Sequence, residues 1–580
     1  MDSVASSGRS VPELDLGVAQ RQAFGASYER PTDLADRLEA YQAGKLILPP
    51  QPVWQGDPTD WTADPFNDKN WRFQHHTLRW LNPLRWAALA GDEEARAEWV
   101  RVVNSWAEAN VPASKTKSDF AWRDMADGNR AIQLSLGAPL VGSEDRWYVE
   151  LLEYHRDWLM DPDHIVGRNH GLHQHSGLLV VGAVLRDGTA VETAVARMRD
   201  QFESTFDSQG TNDEGSSLYH QHNIVWWSQA WDRAQNEGMK VPVAVAERLE
   251  SAGKVLAHIA MPNGQLPQIG ESARGKVRRG LSDVTDFVAS GGNKGKPPEE
   301  DTLILDRGYI SSRSGWGQTR PLVEESHALI RYGEELRAHS HYDRGSLHIY
   351  AGGQQWLIDS GFHSYHSVAP ENRYLKSREA HNVASIIGRK HNNTAPVELA
   401  ASRITDEYHD FTLIDRGYGD DELSRRIVYF VKADCWIISD RVRSDDDVQV
   451  SQNWFVEPGT IARVRDNGFR LSGRDSRSFG IHWLGRGTHL SMKRASDESL
   501  EAWVGTKWRT LEPGTRLTAK SQKGNAHLVA LLGSNSPIPL SIVESRVSMK
   551  DTIYMYLARG TAHWQITIRS DEVIVQESSF

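Results

Sequence analysis

At 580 residues the chain exceeds what one hydrophobic core organises, so two large domains are expected. Its charged fraction of 25% and hydrophobic fraction of 39% are those of globular proteins and exclude wholesale disorder. The formal net charge of −11 argues against non-specific binding to nucleic acid or another polyanion, so an acidic ligand would need a locally basic cleft.

Residues 1–25 are expected as a flexible N-terminal tail. They show neither the basic start nor the apolar stretch of a signal peptide, and no later run reaches membrane-spanning length. A cytoplasmic location with no membrane partner is the simplest expectation; a trimmed leader would make it secreted or periplasmic. A homo-oligomer is open.

From residue 26 to about 300 the apolar spacing is helical. It is clearest around Leu78–Ala87, Ala95–Trp106 and Gly177–Leu185, with turn pairs such as Gly91-Asp92 and Asp187-Gly188 between. Short connections suggest antiparallel helical hairpins. Residues 290–300, rich in Gly, Lys and Pro, read as a linker or long loop. Beyond them, short runs such as Gly308–Arg313, Arg426–Val431, Trp436–Ser439 and Trp564–Ile568 read as strands of an antiparallel β-sandwich over 301–580. The single cysteine, Cys435, lies in a buried-strand context, which excludes an intrachain disulfide and a Cys-based zinc site. Most of the 21 tryptophans are expected in cores, although an indole face also suits a sugar ring.

Three constellations carry chemistry. Asn169-His170-Gly171-Leu172-His173 opens an apolar helix, and spacings of three and four place its polar groups on one face. They could hydrogen-bond a carboxylate, or simply form a polar helix start. Tyr219-His220 follows Asn212–Ser217 and offers a proton-transfer group. His339-Ser340-His341-Tyr342-Asp343 holds two imidazoles at i and i+2, which an extended strand would aim the same way. With Asp359 and His381 these imidazoles make a thiolate-free set that suits zinc, although the chain's 23 histidines also allow a scatter of surface imidazoles.

These motifs, in this order, resemble the heparinase II/III family of polysaccharide lyases. The resemblance runs from about residue 50 to about 570. It also takes in Leu357–Gly361, Ala380-His381-Asn382, Trp71–Gln74, Asn129-Arg130 and Asp306–Tyr309. It implies an N-terminal α/α toroid followed by a C-terminal antiparallel β-sandwich, an active cleft between them, and β-elimination at a uronic acid of an acidic polysaccharide. It further implies that Asn169 and His339 neutralise the substrate carboxylate. Tyr219 would be the acid and, for one C5 configuration, the base; His170 would be the base for the other. His341, Asp359 and His381 would hold a structural zinc. Gln74, Arg130, His173 and Tyr374 would touch substrate. A tyrosine base needs its pKa drawn below about 10, which a cationic cleft could supply. One departure stands out: His173 occupies a position where some members carry Glu.

Two other readings compete. A glycoside hydrolase on an α/α toroid would use Asp213 with Glu214, or Asp124 with Asp127. A lyase-like protein could also bind acidic glycans without cleaving them.

Overall fold

Helices form early in the chain because apolar residues recur there on one face of a 3.6-residue period. The computed structural model describes residues 13–21, 25, 27–335, 338–366, 368–485, 487–535, 538–548 and 552–579. The chain divides into two compact units: residues 1–205 with 223–247, and residues 206–222 with 248–580.

In the first unit the expected runs become the helices Asn82–Leu89, Glu93–Asn110 and Arg168–Val184. Asp92 caps the second by accepting from the amide of Ala95 at 2.9 Å, and Glu93 and Glu94 complement its N-terminal dipole. Its buried face is Ala95, Trp99, Val102, Val103 and Trp106. The Arg168–Val184 helix is buried on nearly every side, and it packs on the helices Met125–Leu136, Arg146–Met160 and Gly188–Thr205. Its approach to Met125–Leu136 is possible only at glycine: a Cβ on Gly128 would overlap the backbone of His173, and one on Gly177 would overlap Gly128. Within the stretch expected as a tail, residues 13–21 are packed. Leu14 and Val18 are buried, and the amide of Asp15 donates to the carbonyl of Val184 at 2.8 Å. The remainder of that tail lies largely outside the described residues.

The second unit contains the strands. A nine-stranded sheet runs in the order His489–Arg494, Thr515–Lys520, Val450–Val456, Gln354–Leu357, Leu347–Ala351, His327–Arg331, Tyr309–Arg313, Thr302–Leu305, with Ala384–Ile386 also paired to Val450–Val456. An eight-stranded sheet runs Ile461–Arg465, Gly468–Ser472, Ser478–Leu484, His527–Ser534, Cys435–Arg443, Asp421–Phe430, Tyr408–Tyr418, Val397–Ile404. Every named pairing is antiparallel. Side chains from both sheets share one core, including Trp356, Trp436, Trp454 and Trp483.

A third layer was not expected. The four strands Ser541–Val547, Ile553–Arg559, Ala562–Ile568 and Val573–Ser579 form a sheet whose core includes Met555, Leu557 and Ile566. That sheet packs on Val428, Phe430, Cys435 and Ile437 of the eight-stranded sheet. The middle strands are therefore buried on both faces, which is why Ile427–Phe430 is apolar without alternation. Cys435 is enclosed here, and burial pushes its thiol up to about 12.

The expected boundary near residue 300 falls inside the second unit. Val255, Ile259 and Ile269 share a core with Leu305, Tyr309 and Leu329, so the chain joins the strands well before the 290–300 loop.

Candidate active site

Tyr219 sits in the first turn of the Ser217–Asn236 helix, whose start is capped by Ser216: its Oγ accepts from the amide of Tyr219 at 3.2 Å and bonds Ser272 Oγ at 2.7 Å. The phenol ring stacks on the imidazole of His339, with centroids 3.5 Å apart and planes 11° from parallel. Its hydroxyl shares a 2.5 Å hydrogen bond with that of Tyr365. Tyr365 is 47% exposed and joins Phe362 and Trp508 in an aromatic shelf of the kind on which a sugar ring can stack.

His339 does not lie on a regular strand. It takes a left-handed backbone with φ 53°, and residues 339–343 follow an irregular path with bends at His339 and Tyr342. Gly270, at φ 58°, packs against the carbonyls of Gly215 and His339 where no Cβ fits, and the amide of Glu271 donates to the carbonyl of His339 at 2.9 Å. This places the Glu271 carboxylate 2.6 Å from His339 Nδ1. Burial raises the Glu271 carboxyl, but the hydrogen bond and charge of His339 outweigh it and hold the group below its usual pKa. A carboxylate only accepts, so Nδ1 carries the proton and Nε2 is left for other work.

Within this unit the surroundings of Tyr219 act against a lowered pKa. Burial first, then Tyr365, Glu271 and Glu214, hold its hydroxyl well above 10. That direction suits a proton donor, and service as a base requires a cation brought close to the hydroxyl.

The bend separates the two imidazoles of the run. His341 turns to Asp359 and His381, and one ligand atom from each of the three lies within 4.8 Å of the others. All three side chains are buried, His341 Nδ1 has no hydrogen-bond partner, and His381 Nδ1 lies 3.1 Å from the Asp359 carboxylate. Burial alone would raise Asp359, yet His381, His348 and His341 hold it well below the carboxylate range. Two imidazoles, one carboxylate and a sealed, unpaired ring nitrogen are what a zinc ion would satisfy. Asp343, the last residue of the run, does different work. It pairs with Arg331 at 3.3 Å, both fully buried; Arg331 lies over the ring of Tyr309 at 4.0 Å and donates to the carbonyl of Gly308. The Asp306–Tyr309 motif is thus packing.

In the first unit, Asn169 and His170 open the Arg168–Val184 helix. Asn169 is buried, and His170 is partly open, with Nδ1 2.6 Å from Asp124 Oδ1. Asp124 has φ 62° and ψ −156°, a region natural only to glycine that costs about 1–3 kcal/mol. His173 faces the indole of Trp226, and its own burial, with Arg79 and His170, lowers its pKa to about 3. It is a neutral group. Gln74 donates to Pro49 and Asn70 and lines a cavity of about 500 Å³ whose charged lining is Glu29, Arg30, Asp33, Arg37, Lys45 and Arg79.

Two expected substrate contacts are corrected. Arg130 is fully buried, 3.8 Å from the Trp106 ring and 4.7 Å from that of Trp122, and donates to His155 Nε2 and to the carbonyl of His76. Arg130→Ala is expected to cost about 3–5 kcal/mol of stability in denaturant titration, with KM unchanged. The Tyr374 hydroxyl accepts from the amide of Ala502 at 2.8 Å, and its ring packs with Ile358, Ala380 and Phe455. The hydrolase pairs also lack support. Asp127 is buried and accepts from Trp158 and Gln174, and Glu214 is buried. Glu271 had no signal in the sequence, standing alone in Ile269–Ser272. Tyr365, between two histidines just past Leu357–Gly361, could have been noticed.

Comparison with known proteins agrees with this picture. The chain matches the Heparinase II/III N-terminus model over residues 39–290 and the Heparinase II/III-like, C-terminal model over residues 311–539. It is 22% identical to a heparin-sulfate lyase of Bacteroides thetaiotaomicron over 505 residues, 78% of this chain and 70% of that protein. A solved heparinase III superposes with a TM-score of 0.76 at 15% identity, covering 97% of this chain and 94% of that one. A heparan sulfate lyase mutant from Pedobacter heparinus superposes with a TM-score of 0.73 at 16% identity, covering 96% and 92%. The α/α toroid followed by antiparallel β-sheets is the fold of those structures, and the chain belongs to the heparinase II/III family of polysaccharide lyases.

Proposed function

We propose that this lyase cleaves a uronic-acid-containing glycan by β-elimination. The observation that carries the reading is the Tyr219 ring stacked on an imidazole that Glu271 anchors through Nδ1. The C5 proton of a uronate is only weakly acidic, so the adjacent carboxylate must be neutralised before it can leave. His339 Nε2 and Asn169 are the donors suited to that carboxylate. The C5–H pair becomes the C4–C5 double bond, the C4–O4 bond breaks, and Tyr219 gives its proton to the departing O4. Where H5 lies on the face opposite O4, His170 takes it; where both lie on one face, Tyr219 must serve twice. Gln74 and His173 are offered as substrate contacts. We further infer that His341, Asp359 and His381 hold zinc, which when bound would tie the strand segment behind His339 to the sheet.

The heparin-sulfate lyase relative makes a heparan-type glycan the first substrate to try, followed by hyaluronan, alginate and bacterial exopolysaccharides. The expected result is new ultraviolet absorbance from an unsaturated uronate. Reducing ends without that absorbance would point to a hydrolase, and binding without either product to a non-catalytic role.

A further inference from the structure

His170 does not stand alone at its helix start. Its Nδ1 lies 2.6 Å from Asp124 Oδ1, and the same oxygen accepts from the amide of Met125 at 2.7 Å. Asp124 also holds a backbone conformation that glycine takes freely and aspartate takes only under constraint. Glycine would therefore suit the turn better, and Asn or Ser would cap the Met125–Leu136 helix equally well. Neither need explains a carboxylate, so the imidazole does. The register is built into the helix crossing, because Gly128 lies on the backbone of His173 where no side chain fits.

We propose that Asp124 is a positioning residue that holds His170 in the tautomer protonated at Nδ1 and frees Nε2 to accept the C5 proton of one uronate epimer. A carboxylate can only accept, so the hydrogen must sit on Nδ1. The remaining lone pair is then on Nε2. When Nε2 takes the C5 proton, the C5–H electrons form the C4–C5 double bond, the C4–O4 bond breaks and O4 departs with a proton from the general acid; the new imidazolium forms beside an anion. Arg123 also acts on Asp124, and the nearby His173 is held neutral by its burial. Asp124, 2.6 Å from Nδ1, is the anion placed beside that ring. The base is needed only when H5 lies opposite O4, so Asp124 sets which C5 configuration is cleaved fast.

This rests on the uronate-lyase reading, and its test keeps the two apart. Asp124→Asn and Asp124→Gly are compared with the parent protein on two defined oligosaccharides, one with iduronate and one with glucuronate at the cleaved position. The His170 tautomer is read separately by nitrogen-15 NMR. An asparagine can donate to Nδ1 and favour the wrong tautomer, so kcat on the iduronate linkage is expected to fall about 10²–10⁴-fold with little change in KM. The ratio of the two epimers' rates should shift by about 100-fold. Asp124→Gly relieves the backbone, so its Tm should not fall, while its rate ratio shifts in the same direction. NMR should show an Nδ1–H tautomer in the parent and its loss in Asp124→Asn. An Nε2–H tautomer in the parent, an unchanged rate ratio in both variants, or a parent protein that cleaves glucuronate alone would each overturn the proposal. If no glycan yields unsaturated product, the lyase reading fails, and the NMR still decides whether Asp124 sets the tautomer.

Discussion

Tyr219→Phe is expected to lower kcat for unsaturated uronate formation by about 10²–10⁴-fold, the range for loss of a general acid. The substitution removes one oxygen. The ring keeps its stack on His339 at 3.5 Å, so the imidazole and its Glu271 partner stay in place. The lost hydroxyl bond to Tyr365 is half exposed and is worth about 0.5–1.5 kcal/mol, too little to unfold the unit. KM should change little, because the carboxylate donors are untouched. Initial rates of absorbance and a thermal melt check both halves of this expectation. Near-normal turnover in a folded variant would remove Tyr219 from the chemistry.

The second large effect is expected at Asp359→Asn. Three buried groups depend on that carboxylate: His341, His381 and His348, whose Nε2 lies 3.6 Å away. Purified parent protein should contain about one zinc per chain, given three protein ligands and no thiolate. The variant should lose it. Removing the anion leaves buried imidazoles without their partner, and breaking such an arrangement costs about 3–5 kcal/mol. A chelator should lower the Tm of the parent and leave the variant unmoved. Activity should fall as well, since His339 is two residues from His341. A metal-free parent with full stability in chelator would refute the zinc assignment.

The sequence spoke most clearly where one periodicity served one purpose. Glu93–Asn110 could be read because its apolar residues face one core, and Cys435–Arg443 because a buried strand has few other spellings. The three-layer arrangement was less plain. The unbroken apolar run Ile427–Phe430 held that signal, since a strand with one wet face would alternate.

Site residues were legible as types and not as geometry. His339 and His341 look like a pair on a strand, and only the left-handed backbone at His339 sends them to different partners. That backbone packs on Gly270, nearly 70 residues upstream (from 270 to 339), and no local pattern reports the approach. Arg130 and Tyr374 make a related point: a motif position can carry packing as well as chemistry. Arg130 fills the space between two indoles, and Tyr374 anchors the amide of Ala502. Glu271 and Asp124 act through backbone approaches that bring distant segments together, and those have no spacing to detect.

The closed middle sheet has one more consequence. Cys435 is the chain's single thiol, it has no sulfur partner, and two cores enclose its strand. A thiol held near 12 is almost wholly protonated at neutral pH and shielded from oxidants and alkylating reagents. The fold is thus indifferent to redox poise: nothing in it needs a disulfide, and nothing in it offers one. The same sulfur is a built-in clock, because a reagent can reach it only when the layered strands come apart, so its labelling rate reports how often the sheet opens.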